Sequence, residues 1–313
     1  FGRERIDGWG IPMATDIAFA LGALALLGKR APLGLRVFLA ALAIVDDLGA
    51  VLVIALFYTS SISWAALGLG LLVLAFLVIL NRLDVRHPGI YAAFGVVVWL
   101  AFLASGVHAT IAGVLLAMTI PVRTRIDART FIRDAHASLD AFRAAGDAEA
   151  SVIPTARQLG ALAELERRTE DVQSPLQRLE HKLQPWVAFG IMPIFALANA
   201  GVTVRSGFGD ILAQPVSLGI IFGLVVGKPV GILSAAFIAV RAGLAVLPTG
   251  VSLRHMVGIG LLGGIGFTMS LFIANLAFAG SAMLDAAKLG ILFASTLSGT
   301  AGYLVLRTTP VRS

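Results

Sequence analysis

The sequence predicts an all-α polytopic membrane protein, and three observations carry that prediction. Of 313 residues, 58% are hydrophobic and 13% charged, with a mean hydropathy of +0.91. Soluble domains hold about 45–50% apolar and about 25% charged residues. The charges are clustered: residues 122–184 hold 10 of the 24 Lys+Arg and 10 of the 18 Asp+Glu. What remains is a series of long apolar stretches, and roughly 20 apolar residues cross the ~30 Å hydrocarbon core as a helix. Lipid offers no partner to a free backbone N–H or C=O, so such spans are helical. The same composition excludes an intrinsically disordered chain. The lack of cysteine excludes disulfide frameworks, iron–sulfur clusters, thiolate zinc sites and cysteine nucleophiles.

Nine spans are expected, near residues 10–27, 34–58, 64–80, 89–104, 106–120, 186–202, 216–240, 256–278 and 286–306. The chain thus divides into about five transmembrane helices over 1–121, a polar insert over 122–184, and about four transmembrane helices over 185–313. The fourth and fifth spans are short and separated only by Ser105-Gly106. The insert reads as two amphipathic helices, because Leu139, Phe142 and Leu159, Leu162, Leu165 recur at helical spacing. Gly146 to Pro154 separates the two, and the pair is expected on the cytoplasmic surface.

Basic residues orient the spans. With nine spans, one set of loops holds 19 Lys+Arg, the insert included, and the other set holds Arg3, Arg5, Arg205 and Lys288. The insert and the C-terminus are therefore placed in the cytoplasm and the N-terminus outside. No signal peptide is visible, and there is no starting Met. An outside N-terminus with neither suggests a fragment that lacks an odd number of preceding spans. The net charge of +6 is an orientation signal, because the insert balances its own charges. Nucleic acid is not expected as a partner.

Ionisable groups inside spans are costly and mark function by default. Asp16 lies in the first span, Asp46 and Asp47 in the middle of the second, and Lys228 midway along the seventh. Three carboxylates against one ammonium cannot all stay ionised in low dielectric without a counter-cation. A proton or a metal ion must come and go. Successive helical residues differ by about 100°, so one aspartate can pair with Lys228 while the other faces a cavity. Helix breakers accompany these charges: Pro12 before Thr15-Asp16, Gly227-Lys228-Pro229, and Gly263-Gly264-Ile265-Gly266-Phe267-Thr268. Broken helices turn dipole ends and freed carbonyls towards a transported ion. In such a frame Asp16 suits half-helix N-termini, and Lys228 suits C-termini.

These segments carry a resemblance. TDIAFALG (15–22), LAIVDDLGA (42–50), SGVHATIAG (105–113), PIFALANAG (193–201), VGKPVGI (226–232) and GGIGFTMSLFIANLAF (263–278) together resemble the NhaA family of Na+/H+ antiporters. The likeness covers nearly the whole chain and is weakest in the insert. It implies an inverted-repeat fold with two broken, crossing helices, of which this chain resembles spans four to twelve of twelve. It implies a secondary transporter of the bacterial inner membrane that exchanges cytoplasmic Na+ or Li+ for external protons. Two protons per Na+ would make the exchange electrogenic, and its role would be pH and sodium homeostasis. Na+ and H+ would compete for buried carboxylates, with no cofactor.

By the same resemblance Asp47 is the main Na+ ligand, and Asp46 is the aspartate that pairs with Lys228. Thr15 and Asp16 stand at the first helix break. Gly264, Gly266 and Thr268 form the crossing break, and Gly227 and Pro229 interrupt the seventh span. Glu180 and His181 belong to the pH response. A homodimer stays open, although the family's dimer hairpin is absent from this stretch.

Three other readings compete. A sodium-coupled symporter of similar fold would need more convergent polar groups than Asn199, Asn275, Ser295, Thr296 and Ser298, whose default role is interhelical hydrogen bonding. An intramembrane aspartyl protease is suggested by Gly207-Phe208-Gly209-Asp210, but that string reads as a polar turn outside any span. Gly258-Ile259-Gly260-Leu261-Leu262-Gly263 matches a dinucleotide fingerprint without its preceding strand or following acid. Small-residue helix packing explains it better.

Overall fold

A computed structural model describes residues 7–58, 62–145, 154–202, 207–248, 250–281 and 283–310. Among the described residues every regular element is a helix. In chain order, a 3₁₀ turn (Asp7–Met13) precedes α1 (Ile17–Ala25), α2 (Leu33–Phe57), α3 (Trp64–Arg82), α4 (Pro88–Ser105) and α5 (Ala109–Thr119). The insert forms α6 (Ala128–Ala144), α7 (Ala156–Val172) and α8 (Pro175–Trp186). A π turn (Val187–Ile191) then leads to α9 (Met192–Ala200), short α10 (Phe208–Leu212) and α11 (Pro215–Phe222). A second π turn (Gly223–Gly227) precedes α12 (Lys228–Arg241), α13 (Leu253–Gly263), α14 (Phe267–Ala277) and α15 (Met283–Thr308).

Seven stretches are long and apolar enough to cross a membrane: Gly8–Ala25, Leu33–Phe57, Trp64–Arg82, Pro88–Ser105, Pro175–Ala200, Pro215–Arg241 and Met283–Thr308. The bent pair α13 and α14 makes an eighth. This is a multi-pass, all-helical membrane protein. The expected fifth span is the 11-residue α5, about 16 Å long and so roughly half the hydrocarbon thickness. Its start is set by Gly106, which closes α4 in the left-handed region at φ 81°, so that helix resumes only at Ala109. The helix leading into the sixth span starts at Pro175, well before residue 186, because Ser174 and Gln177 form a capping box. Arg3, Arg5, Arg205 and the break after Gly146 lie outside the described residues.

The chain divides into two compact units, Ser60–Val187 and Phe1–Thr59 with Ala188–Ser313. In the first, α3, α4 and α5 bury Val73, Leu77, Tyr91, Val98 and Phe102, with Leu176 and Leu179 of α8 packed on them. The insert is tied to this core by backbone bonds: Leu176 N–H donates to Pro121 O, and Arg125 N–H to Asp171 O. Helices α6 and α7 pair as a hairpin, with Arg168 of α7 3.1 Å from Asp134 of α6. Glu164 accepts hydrogen bonds from Arg167 and Arg168, which pull its carboxyl down to about 2. Whatever stability that cluster adds is full above the ordinary glutamate value and is lost progressively as pH falls from there to about 2.

In the second unit the core is made by α2, α11, α14 and α15, where Ile54, Ile220, Leu271 and Ile291 are buried together. Helices α13 and α15 approach closely through glycines. A Cβ on Gly302 would stand 2.9 Å from Gly258 O, and one on Gly258 would stand 2.4 Å from Leu306 Cγ. The Gly258–Gly263 string therefore serves helix packing, the usual use of small residues between membrane helices. Gly302→Val should force α13 and α15 apart and cost about 1–3 kcal/mol, as overpacking does. A lowered midpoint of thermal unfolding in detergent is the expected reading.

Candidate functional site

The site is built where two helices fail. Pro12 and the extended backbone at Asp16 separate the 3₁₀ turn from α1. Between α13 and α14 the chain bends by 41° at Gly264-Ile265-Gly266. Each failure exposes backbone groups that membrane interior cannot satisfy. The two breaks satisfy one another. Asp16 N–H donates to Ile265 O at 2.6 Å. The Asp16 carboxylate caps α1 by accepting Phe19 N–H at 3.1 Å. It also accepts Thr268 N–H at 3.0 Å and the Thr268 hydroxyl at 2.6 Å. One carboxylate, 1% exposed, thus faces the positive ends of both α1 and α14.

Glycine at the bend is a steric requirement. A Cβ on Gly264 would lie 2.3 Å from both Leu224 O and Ser298 Oγ. One on Gly266 would lie 2.1 Å from Ser270 Oγ. Ser270 is placed there because its hydroxyl donates to Ile11 O at 2.7 Å, satisfying the 3₁₀ turn beside the first break.

The second cluster lies beside the first. Lys228 Nζ is 3.1 Å from Asp46 Oδ2 and donates to Met13 O at 2.7 Å. The ammonium therefore neutralises one aspartate and the negative end of the 3₁₀ turn together. Thr15 Oγ1 lies 2.6 Å from Asp46 Oδ2 and 3.1 Å from Gly263 O, at the end of α13. Asp47 is turned away from these partners by the helical step, and its buried Oδ1 has no hydrogen-bond partner among the described residues. Of the three carboxylates, Asp16 is held by helix ends and Thr268, and Asp46 by Lys228 and Thr15. For Asp47, no described group satisfies the buried Oδ1.

The structure thus brings together Thr15, Asp16, Asp46, Asp47, Lys228, Gly264, Gly266 and Thr268. Gly227 and Pro229 differ from expectation: they do not separate two half-helices. The stretch Pro215–Arg241 runs as one helical segment through the π turn Gly223–Gly227. Widening one turn accommodates the ring of Pro229 and its missing N–H within one continuous helical segment. Glu180 and His181 are exposed on α8, in the other unit, and line a cavity of about 440 Å³ with Gln173, Gln177 and Gln184. Asp210 is exposed on the short α10, so the protease-like string sits in no buried aspartate pair.

Sequence reasoning undervalued several residues. Lys288, counted with loop charges, is buried within α15 and donates to Gly201 O at the end of α9. Its position inside an apolar run was the available signal. Asn275 donates to Asn199 Oδ1 at 2.9 Å, linking α14 to α9. Ser295 and Ser298, three apart in the apolar α15, bond the ends of α14 and α13.

Comparison with known proteins gives the family. Residues 1–306 match the family described as Na+/H+ antiporter 1. The chain belongs to that family. It is 51% identical over 306 residues to the Na(+)/H(+) antiporter NhaA of Oleidesulfovibrio alaskensis, covering 98% of this chain and 68% of the relative. It is 48% identical to Na(+)/H(+) antiporter NhaA 1 of Saccharophagus degradans, over 97% of this chain and 66% of the relative. It is 47% identical to the NhaA of Wolinella succinogenes over 98% of this chain and 68% of the relative. The chain therefore spans about two thirds of the length of these relatives. The relatives carry transporter names, not enzyme names.

The Asp46–Lys228 pair makes a direct prediction. Lys228→Met strands the part-buried Asp46 carboxylate and should cost about 1–3 kcal/mol. Adding Asp46→Asn should restore much of that loss, measured as thermal unfolding in detergent of the two single variants and the double variant.

Proposed function

We propose that this chain carries the ion-exchange site of a Na+/H+ antiporter, with Asp47 as the exchanging carboxylate. Family membership supports the activity. The observation that supports the residue is Asp47 Oδ1, buried and without a hydrogen-bond partner among the described residues, beside one carboxylate paired with Lys228 and one held by helix ends. A buried carboxylate in that state binds either a proton or a cation, and the two exclude each other. Na+ (or Li+) from the cytoplasm displaces protons from the site, and the loaded site reorients to the outside.

Asp46 is the second group of the pair. Its carboxylate lies 3.1 Å from Lys228, so a proton taken up there would weaken that ion pair. Two protons returned per Na+ make the cycle electrogenic. Asp16 and Thr268 hold the two breaks together, and Thr15 ties Asp46 to them, so movement of either half-helix changes what the aspartates face. Reorientation then needs only small rigid shifts of half-helices. The insert and the C-terminus are assigned to the cytoplasm from the basic-residue count. The buried Lys288 drops out of the opposing side and strengthens that bias.

Glu180 and His181 are proposed for the pH response. They are exposed beside a polar cavity, where protons reach them freely.

Two measurements test the proposal. Asp47→Asn should abolish Na+-driven dissipation of a pH gradient in everted vesicles, and undiminished exchange in that variant sinks the assignment. Competition also fixes a sign. As pH falls, the apparent KM for Na+ should rise by about tenfold per pH unit for each competing proton, with the maximum rate retained at saturating Na+. An apparent KM that does not change with pH rules out competition at a shared carboxylate.

A further inference from the structure

The bend between α13 and α14 is gripped from one side by α15. Ser295 and Ser298 lie one turn apart on that helix and are 7% and 0% exposed. Ser295 Oγ accepts the N–H of Phe267 at 3.1 Å, the first N–H of α14, which has no partner within its own helix. The Ser298 hydroxyl donates to Leu261 O at 2.7 Å, in the last turn of α13. One serine holds the positive end of one half-helix, and the other holds the negative end of its neighbour. Hydroxyls suit both tasks because they donate and accept.

The next groups along the chain belong to the ion site. The N–H of Thr268 follows that of Phe267 and goes to Asp16. Gly263 O, two residues beyond Leu261, stands 3.1 Å from Thr15 Oγ1, which is 2.6 Å from Asp46. Ser295 is thus one residue along the chain from a group that bonds Asp16, and Ser298 is linked to Asp46 through Leu261, Gly263 and Thr15. Ser298 also sits directly over the bend, where its Oγ would lie 2.3 Å from a Cβ on Gly264.

We infer that Ser295 and Ser298 are positioning residues for ion exchange, forming a clamp that sets the spacing of the two half-helix ends. That spacing decides whether Thr268 reaches Asp16 and whether Gly263 reaches Thr15. The inference rests on the proposed exchange at Asp46 and Asp47. The two serines are not equivalent. Leu261 O keeps a second donor, Gly264 N–H at 2.9 Å, when Ser298 is removed. Phe267 N–H has Ser295 Oγ as its one acceptor among the described residues.

The test is Na+-driven exchange in everted vesicles by Ser295→Ala, Ser298→Ala and Ser295→Thr, with the amount of folded protein in the membrane measured for each. An unsatisfied buried donor shifts such equilibria by about tenfold. Ser295→Ala should therefore raise the apparent KM for Na+ by about that factor while the maximum rate per folded molecule is retained. Ser298→Ala should raise it less, and Ser295→Thr, which keeps the acceptor oxygen, should restore the parent value. An unchanged apparent KM in Ser295→Ala overturns the clamp. So does a fall in maximum rate, or in the amount of folded protein, that leaves a measurable apparent KM unchanged, which marks a merely structural contact, and so does failure of threonine to restore the value. If Ser295→Ala does not accumulate, Ser298→Ala carries the test by the same criterion. Asp47→Asn assayed alongside separates the two readings: exchange surviving there rejects the ion site, whatever the serine variants do.

Discussion

The carboxylate of Asp16, held between the N-termini of α1 and α14, is the constraint on which the rest of the site depends. A broken helix inside a membrane leaves N–H and C=O groups that lipid cannot satisfy, each at a cost of several kcal/mol. Two breaks placed against each other solve the problem jointly. The main chain of Asp16 bonds to Ile265, and its side chain bonds to Phe19 and Thr268. Dipole ends of like sign repel, so two helix N-termini can meet only around an anion. Asp16 is that anion, and the glycines at the bend give it room.

Everything that distinguishes Asp46 from Asp47 follows from this arrangement. The first break delivers Met13 O and Thr15 to one side of α2, and Lys228 reaches the same side from α12. Asp46 points there and is neutralised. Asp47, one residue on, keeps a buried oxygen that has no hydrogen-bond partner among the described residues. Adjacent, chemically identical side chains acquire different tasks because a helix turns by about 100° per residue. Serines on α14 and α15 complete the structure by satisfying the backbone ends that Asp16 does not reach.

The insert follows different rules. Its helices are capped by Asp127, Thr155 and Ser174, and its charges pair mostly with one another at the surface. Exposed pairs of this kind are each worth little. The insert's anchorage comes from Leu176 and Leu179 in the apolar core and from backbone bonds at Pro121 and Asp171.

Much of this was legible in the chain alone. Apolar runs interrupted by Asp16, Asp46, Asp47 and Lys228 announce membrane helices with a buried charge imbalance, because no solvent is present to make those residues cheap. Pro12 and the glycines at 263–266 announce breaks, because the backbone restrictions of Pro and Gly are local. Local signals also misled. Pro229 reads as a break, yet a π turn absorbs it, since the alternatives open to a proline depend on what packs around the preceding turn. Lys288 reads as a loop charge until Gly201 O is brought to it from α9. Which aspartate Lys228 meets and which oxygen is left bare depend on contacts between residues far apart in the chain, as does the capping of α14 by Ser295. The chain by itself determined the class of structure and the chemistry it could hold. Only the tertiary structure decided which groups meet, because each contact is a distance of about 3 Å between groups that sequence order keeps far apart.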